Sequence, residues 1–116
     1  MKLTEPRGAK AARLRQRKFD RLRGIRLPPD ALPGSLSLSH RRCGKPACHC
    51  AREKEGHPVW TLTFMVDGKK RVERIPPEWV DEVRRRVDGG REFKQAWTEI
   101  LVANAELLVL GRQQAR

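Results

Sequence analysis

All three cysteines of this 116-residue chain fall within one short segment, and a histidine follows them closely. They are Cys43, Cys48 and Cys50, and His57 comes just before an apolar segment. Thiolate sulfur and neutral imidazole nitrogen are preferred zinc ligands, and three of the first with one of the second complete a tetrahedral site. The sequence therefore predicts one structural Zn²⁺ ion held by Cys43, Cys48, Cys50 and His57. Such an ion would tie a loop to the structure that follows it.

The spacing of this cluster leaves other interpretations open. It is C-x4-C-x-C-x6-H, which is not a familiar zinc-finger spacing. Three free thiols in a loop are one alternative, and redox chemistry at Cys48 and Cys50 beside lysine and arginine is another. His40 and His49 compete with His57 for the fourth position, although His49 lies between two ligands and would have to point away from their metal. An odd number of thiols argues against a purely structural disulfide framework.

The charge of the chain favours a polyanionic partner. Lysine and arginine number 26 against 14 aspartate and glutamate, which gives a net charge of +12. Residues 1–27 hold +8 of this charge and form a basic arm. We expect nucleic acid as the partner rather than a membrane, and a solubilising role for the arm is the alternative. The residues expected to contact nucleic acid are Arg13, Arg15, Arg17, Lys18, Arg21, Arg41, Arg42, Lys45, Lys69, Lys70 and Arg71.

Composition shifts predict four segments. The arm, residues 1–27, is expected to contain a loosely held helix from about residue 8 to 23, or to order on binding. Residues 28–34 contain three prolines and a glycine, which predicts a linker. Residues 35–111 form the core domain, and residues 112–116 are a polar tail. No signal peptide or apolar span is visible, so we expect a cytoplasmic protein.

Period-two apolar patterns in the core domain predict an antiparallel sheet. Strands are expected at residues 35–39, 59–66 and 69–75. Asp67-Gly68 is a strong hairpin-turn signal between the last two strands. A two-residue loop would place Val72 opposite Thr63, and a three-residue loop would place it opposite Phe64, where it would be better buried.

Two C-terminal helices are expected after the hairpin. Pro77 suits the first helical turn, and Gly89-Gly90 is interpreted as the end of a first helix, with a second from about residue 91 to 110. The fold class is therefore α+β, with a zinc loop beside a short sheet made of a β-hairpin and one strand.

The last helix also carries a pattern typical of a coiled-coil seam. Phe93, Trp97, Ile100, Asn104 and Leu107 alternate in steps of four and three. A polar residue within such a seam is known to fix the pairing of helices. The pattern predicts either a homodimer through this helix or a helix packed on the sheet, with Asn104 at the edge of the contact.

The sequence offers little to an enzyme. It has no tyrosine and no glycine-rich phosphate loop. Its carboxylates after Pro77 suit a helix start rather than a catalytic centre. A zinc ion with four protein ligands has no open position, which makes it structural. We expect no catalytic residues.

The cysteine segment resembles a known family. Residues 43–50 read CGKPACHC, and they are followed by His-Pro at 57–58, Gly-Lys at 68–69 and Pro-Pro at 76–77. Together these features resemble an uncharacterised family of small basic bacterial and archaeal proteins with a Cys-Gly-Lys-Pro-x-Cys-x-Cys motif, over about residues 33 to 110. The resemblance implies an accessory role in mobile elements, which favours DNA over RNA. A zinc-stabilised DNA-binding protein is thus the leading hypothesis. A dimerising adaptor with a structural zinc and a thiol redox sensor are the alternatives.

Overall fold

The computed structural model describes residues 2–42, 44–48 and 56–115. Within them the chain forms two α-helices, one 3-10 turn (Pro77–Trp79) and three strands. The elements are α1 (Ala9–Gly24), β1 (Ser35–Arg41), β2 (His57–Val66), β3 (Lys69–Ile75) and α2 (Val80–Gln114). This confirms the expected α+β class, in which a β-hairpin and one further strand follow a basic helix. Most of the proposed zinc loop lies outside the described residues.

The sheet is antiparallel in the order β1-β2-β3. Asp67 and Gly68 form the two-residue turn between β2 and β3, with φ angles of 51° and 78°. Positive φ at both central residues is the requirement of a type I′ hairpin turn. Val72 consequently pairs with Thr63 and stays 50 % exposed. The geometry of the turn, rather than the burial of Val72, therefore sets the register.

One face of the sheet packs on the first part of α2. Leu62 of β2 is buried against Val83 and Val87 of the helix. Leu36 of β1 pairs with Leu62 across the strands and packs at the margin of the same cluster. Because strand side chains alternate between faces, Thr61 and its pairing partners lie on the face turned away from α2, as does every second residue of each strand counted from them.

The expected helix break at Gly89-Gly90 is wrong, since α2 runs unbroken from Val80 to Gln114. The two glycines do not end the helix. They allow the proline-rich segment to contact α2 closely. A Cβ atom on Gly90 would lie 2.2 Å from the carbonyl oxygen of Leu32, and one on Gly89 would lie 3.3 Å from Cγ of Pro28. The amide of Leu32 also donates to the carbonyl of Arg86, at 3.0 Å. The proline-rich segment thus lies directly on the helix.

An ion-pair network fastens the same segment to α2. Arg85 donates to Asp30 at 2.8 Å and to Glu82 at 2.6 Å, and Arg86 donates to Glu82 at 3.1 Å. The hydrogen bond from Arg85, with that from Arg86, lowers the pKa of Glu82 from its ordinary 4.5 to about 2. Because the folded-state pKa is lowered, this pairing stabilises the fold above the ordinary pKa. The stabilisation is lost as the pH falls towards 2.

The chain divides into two compact units, Met1–Leu27 with Glu92–Arg116, and Pro28–Arg91. In the first, Ala11 and Leu14 of α1 are buried against Leu107 of α2. Gln114 also exchanges two hydrogen bonds with the backbone of Arg7, at 2.8 and 2.7 Å. The helix expected in the basic arm is confirmed, and it packs into a core rather than being loosely held.

Four of the five residues of the predicted coiled-coil seam fall into two groups. Ile100 and Leu107 are buried inside the first unit, where Leu107 packs on α1 rather than on the sheet. Trp97 is half-exposed and Asn104 is exposed. The homodimer through this helix stays a prediction.

In the described ranges, no helix is both long enough and apolar enough to cross a membrane.

The contact between Gly90 and Leu32 predicts a difference between two neighbouring substitutions. Gly90→Ala should lower the free energy of unfolding by about 1–3 kcal/mol. The added methyl group would clash with the carbonyl oxygen of Leu32, and relieving the clash would require the backbone to shift. Gly89→Ala should stay within about 1 kcal/mol of the wild type, because better helix propensity offsets a tight contact with a proline ring. Urea unfolding of both variants checks this. Equal effects of the two substitutions would contradict the proposed role of Gly90.

Candidate metal centre and nucleic-acid interface

The ends of β1 and β2 are held together at one place. Arg41 pairs with His57 across the strands. A Cβ atom on Gly56 would lie 2.2 Å from the carbonyl carbon of Arg41 and 2.5 Å from the amide nitrogen of Arg42. Only glycine allows the chain to return so close to the strand that it left. The segment with the cysteines therefore begins and ends next to the same two arginines.

Two of the four predicted zinc ligands come together in the structure. Sγ of Cys48 lies 3.1 Å from Nε2 of His57, and both side chains are half-buried. A turn delivers Cys48, whose amide donates to the carbonyl of Lys45 at 3.1 Å. Two donor atoms on one tetrahedral zinc ion lie about 3.6 Å apart, so a shared ion needs a separation only about half an ångström greater.

The donor chemistry of this pair fits zinc. A thiol sulfur and an imidazole nitrogen converge, and both atom types are preferred zinc ligands. Cys43, Cys50 and His49 lie outside the described residues, and the described residues alone hold no group of three ligands able to bind a metal. The complete ligand set, the free-thiol interpretation and the redox interpretation all stay predictions.

His40 occupies a different face of the sheet from His57. It pairs with Pro58, the residue next to His57, and neighbouring strand residues point to opposite faces. Of these two histidines, His57 is therefore the one positioned beside Cys48.

A basic cleft opens beside the Cys48–His57 pair. Three arginines line it, namely Arg41, Arg42 and Arg74, together with His57 and Trp60. No carboxylate is among the described residues that line it. The guanidinium of Arg84 lies 5.3 Å from the centre of the Trp60 ring, a cation–π geometry that fixes the ring orientation. The cleft can accept an anion with an apolar surface beside it.

Sequence reasoning missed two residues of this cleft. Neither Arg74 nor Trp60 was among the residues expected to contact nucleic acid. The turn at Asp67-Gly68 carried a signal for Arg74. A two-residue loop there pairs Arg74 with Thr61, which lies on the same face of the sheet as Val59. Trp60 shares its face with buried Leu62 but sits near the end of β2, where it is half-buried.

The other sheet residues expected to contact nucleic acid divide between the two faces. Lys70 lies on the face turned away from α2, whereas Lys69 and Arg71 lie on the α2 side. Arg71 is also engaged within the protein, because it donates to Glu73 at 2.6 Å and lies over the ring of Phe64. Lys45 is exposed in the turn before Cys48.

The arm residues divide in a similar way. Arg15 donates to the carbonyl of Pro6 at 2.7 Å, and Arg21 pairs with Glu99. Lys18 is half-buried next to Phe19. Arg13 and Arg17 are exposed, one helical turn apart on α1. The structure thus uses Arg15 and Arg21 to hold the first unit together and presents Arg13 and Arg17 to solvent.

A family model for a domain of unknown function, DUF6788, matches residues 10–85. The chain belongs to this family. The DUF6788 match includes nearly all of α1, the whole sheet and the start of α2, so the candidate metal centre and the cleft lie inside the family domain. It begins earlier than the resemblance in the sequence indicated, which makes the basic helix part of the domain. Neither a comparison with curated proteins nor one with solved structures found a match.

Proposed function

We propose that this DUF6788 protein is a zinc-stabilised nucleic-acid-binding protein. The observation that carries the proposal is the cleft at the end of the sheet. It combines Arg41, Arg42 and Arg74 with the half-buried ring of Trp60, and it adjoins the Cys48–His57 pair. A concave surface with several guanidinium groups and without carboxylates among its described residues suits a phosphate backbone.

The proposed zinc ion has a structural role. Cys43, Cys48, Cys50 and His57 would hold it, and a closed set of four protein ligands stabilises a fold without activating water. Arg42 directly precedes Cys43, and Arg41 pairs with His57. A metal bound by these ligands would therefore restrict the backbone that carries two of the three cleft arginines.

The metal proposal predicts different effects for two histidines. Purified protein should carry about one equivalent of zinc, and Cys48→Ser and His57→Ala should lose both the zinc and cooperative unfolding. His40→Ala is the matched control and should keep both, because His40 lies on the other face of the sheet. Metal analysis and thermal unfolding measure the two properties. A metal-free wild type with an unchanged unfolding midpoint would contradict the metal; zinc retained by His57→Ala and lost by His40→Ala would exclude His57 as the ligand.

The proposed partner is DNA rather than RNA, and this preference comes from the resemblance to accessory proteins of mobile elements. The contacts with phosphate would come from the cleft and from the exposed arginines Arg13 and Arg17 of α1. Binding through phosphates releases counterions, so the affinity should fall steeply with salt.

The cleft proposal predicts that its arginines outweigh an equally charged arginine elsewhere. Arg42→Gln and Arg74→Gln should each weaken binding to a duplex several-fold and reduce the slope of log affinity against log salt by about 1. Arg71→Gln removes the same charge from the other face of the sheet and should have a smaller effect. Fluorescence anisotropy titrations at several salt concentrations between about 50 and 200 mM measure the affinity. Over this range, an affinity that depends on phosphate contacts falls steeply. An unchanged affinity and slope in both cleft variants would overturn the cleft as the binding site.

A further inference from the structure

The sheet face turned away from α2 carries, besides the cleft arginines Arg41 and Arg74, a further cation, Lys70, that does not line the cleft. We call this face the open face. It consists of the alternate residues of the three strands whose side chains lie on the same side of the sheet as that of Thr61. β1 and β2 contribute a row of hydroxyl groups to it, and Oγ of Ser37 lies 3.1 Å from Oγ1 of Thr61. Its cations are Arg41, Lys70 and Arg74, all of them exposed.

The three cations are evenly spaced along the strands. Lys70 pairs with Met65, Arg74 pairs with Thr61, and Arg41 pairs with His57, so each step covers four residues of β2. At about 3.4 Å per residue, one step is about 14 Å and the whole row is about 27 Å. The row starts on β3 at the hairpin end and finishes on β1, where Arg41 also lines the cleft.

The open face differs from the opposite face in its acidic and aromatic residues. Glu73 is the one carboxylate among the described strand residues, and it lies on the α2 side, bonded to Arg71. Trp60 and Phe64 also lie on the α2 side. The open face thus offers positive charge and hydroxyl donors beside the exposed side chains of Met65 and Val72, without a tryptophan or phenylalanine on which a base could stack.

We infer that the open face is a track for the phosphate backbone of a nucleic acid, running from Lys70 through Arg74 to Arg41 and into the cleft. The inference rests on the proposed function, whose binding site it extends. A duplex rises about 3.4 Å per base pair along its axis, so a track of about 27 Å has the length of about eight base pairs. Hydroxyl groups donate to phosphate oxygens, and contacts of this kind position a nucleic acid without reading its sequence.

Two adjacent lysines provide the test. Lys70→Glu places a carboxylate on the track, and Lys69→Glu makes the same change of charge on the α2 side. Diffuse attraction by net charge predicts equal losses of affinity, whereas the track predicts that Lys70→Glu weakens duplex binding at least about fivefold more than Lys69→Glu. Thermal unfolding of both variants confirms that each is folded.

A length series completes the experiment. With wild-type protein, the affinity for duplexes of increasing length should rise up to about eight base pairs per bound protein and then level off. Equal effects of the two lysine variants, or a plateau at about four base pairs, would overturn the track. The Arg42→Gln result decides the proposed function separately, because Arg42 belongs to the cleft and not to the open face.

Discussion

The return of the chain at Gly56 is the constraint on which the site depends. At this point the backbone that enters β2 lies against the backbone of Arg41, closer than any side chain would allow. The same approach places His57 opposite Arg41 and within 3.1 Å of the sulfur of Cys48. The Cys48–His57 pair and two cleft arginines are therefore positioned by one backbone contact. Without it, the loop with the cysteines and the basic cleft would have no defined relation to each other.

The rest of the second unit supports this end of the sheet. The sheet packs through Leu62 on Val83 and Val87, and the proline-rich segment lies on α2 at Gly90. The ion pairs of Arg85 hold the same segment to the helix at Asp30. The hydrophobic cluster of Leu62 occupies one face of the sheet, and on the other face the cations Arg41, Lys70 and Arg74 are exposed. The face that packs on α2 and the face proposed to bind nucleic acid are thus the two sides of the same three strands.

The sequence predicted the features that local pattern and turn chemistry control. The strands, the turn at Asp67-Gly68 and the helix in the basic arm follow from alternation, positive φ and helical spacing. The helix break at Gly89-Gly90 was predicted wrongly, because the reason for these glycines is a contact with Leu32, far away in sequence. The register of Val72 was left open, because burial favoured one loop length and turn geometry favoured the other.

Net charge alone also said too little about which cations face a partner. The sequence did not distinguish Arg15, Arg21 and Arg71 from the exposed cations Arg13, Arg17 and Lys70. The structure separates them, since the first three bond to groups of the protein itself. Ion-pair partners such as Glu99 lie more than seventy positions from Arg21, so composition and spacing cannot reveal them. Which arginines remain for a polyanion is a property of the fold.

The proposed function requires that a metal-clamped loop organise a cationic surface for nucleic acid. It is tested most directly by measuring the affinity of one protein preparation for a labelled duplex before zinc removal, after removal and after zinc is restored, at constant salt. Removal of zinc should weaken binding about tenfold or more, and added zinc should restore it. An affinity that is the same with and without the metal would contradict it.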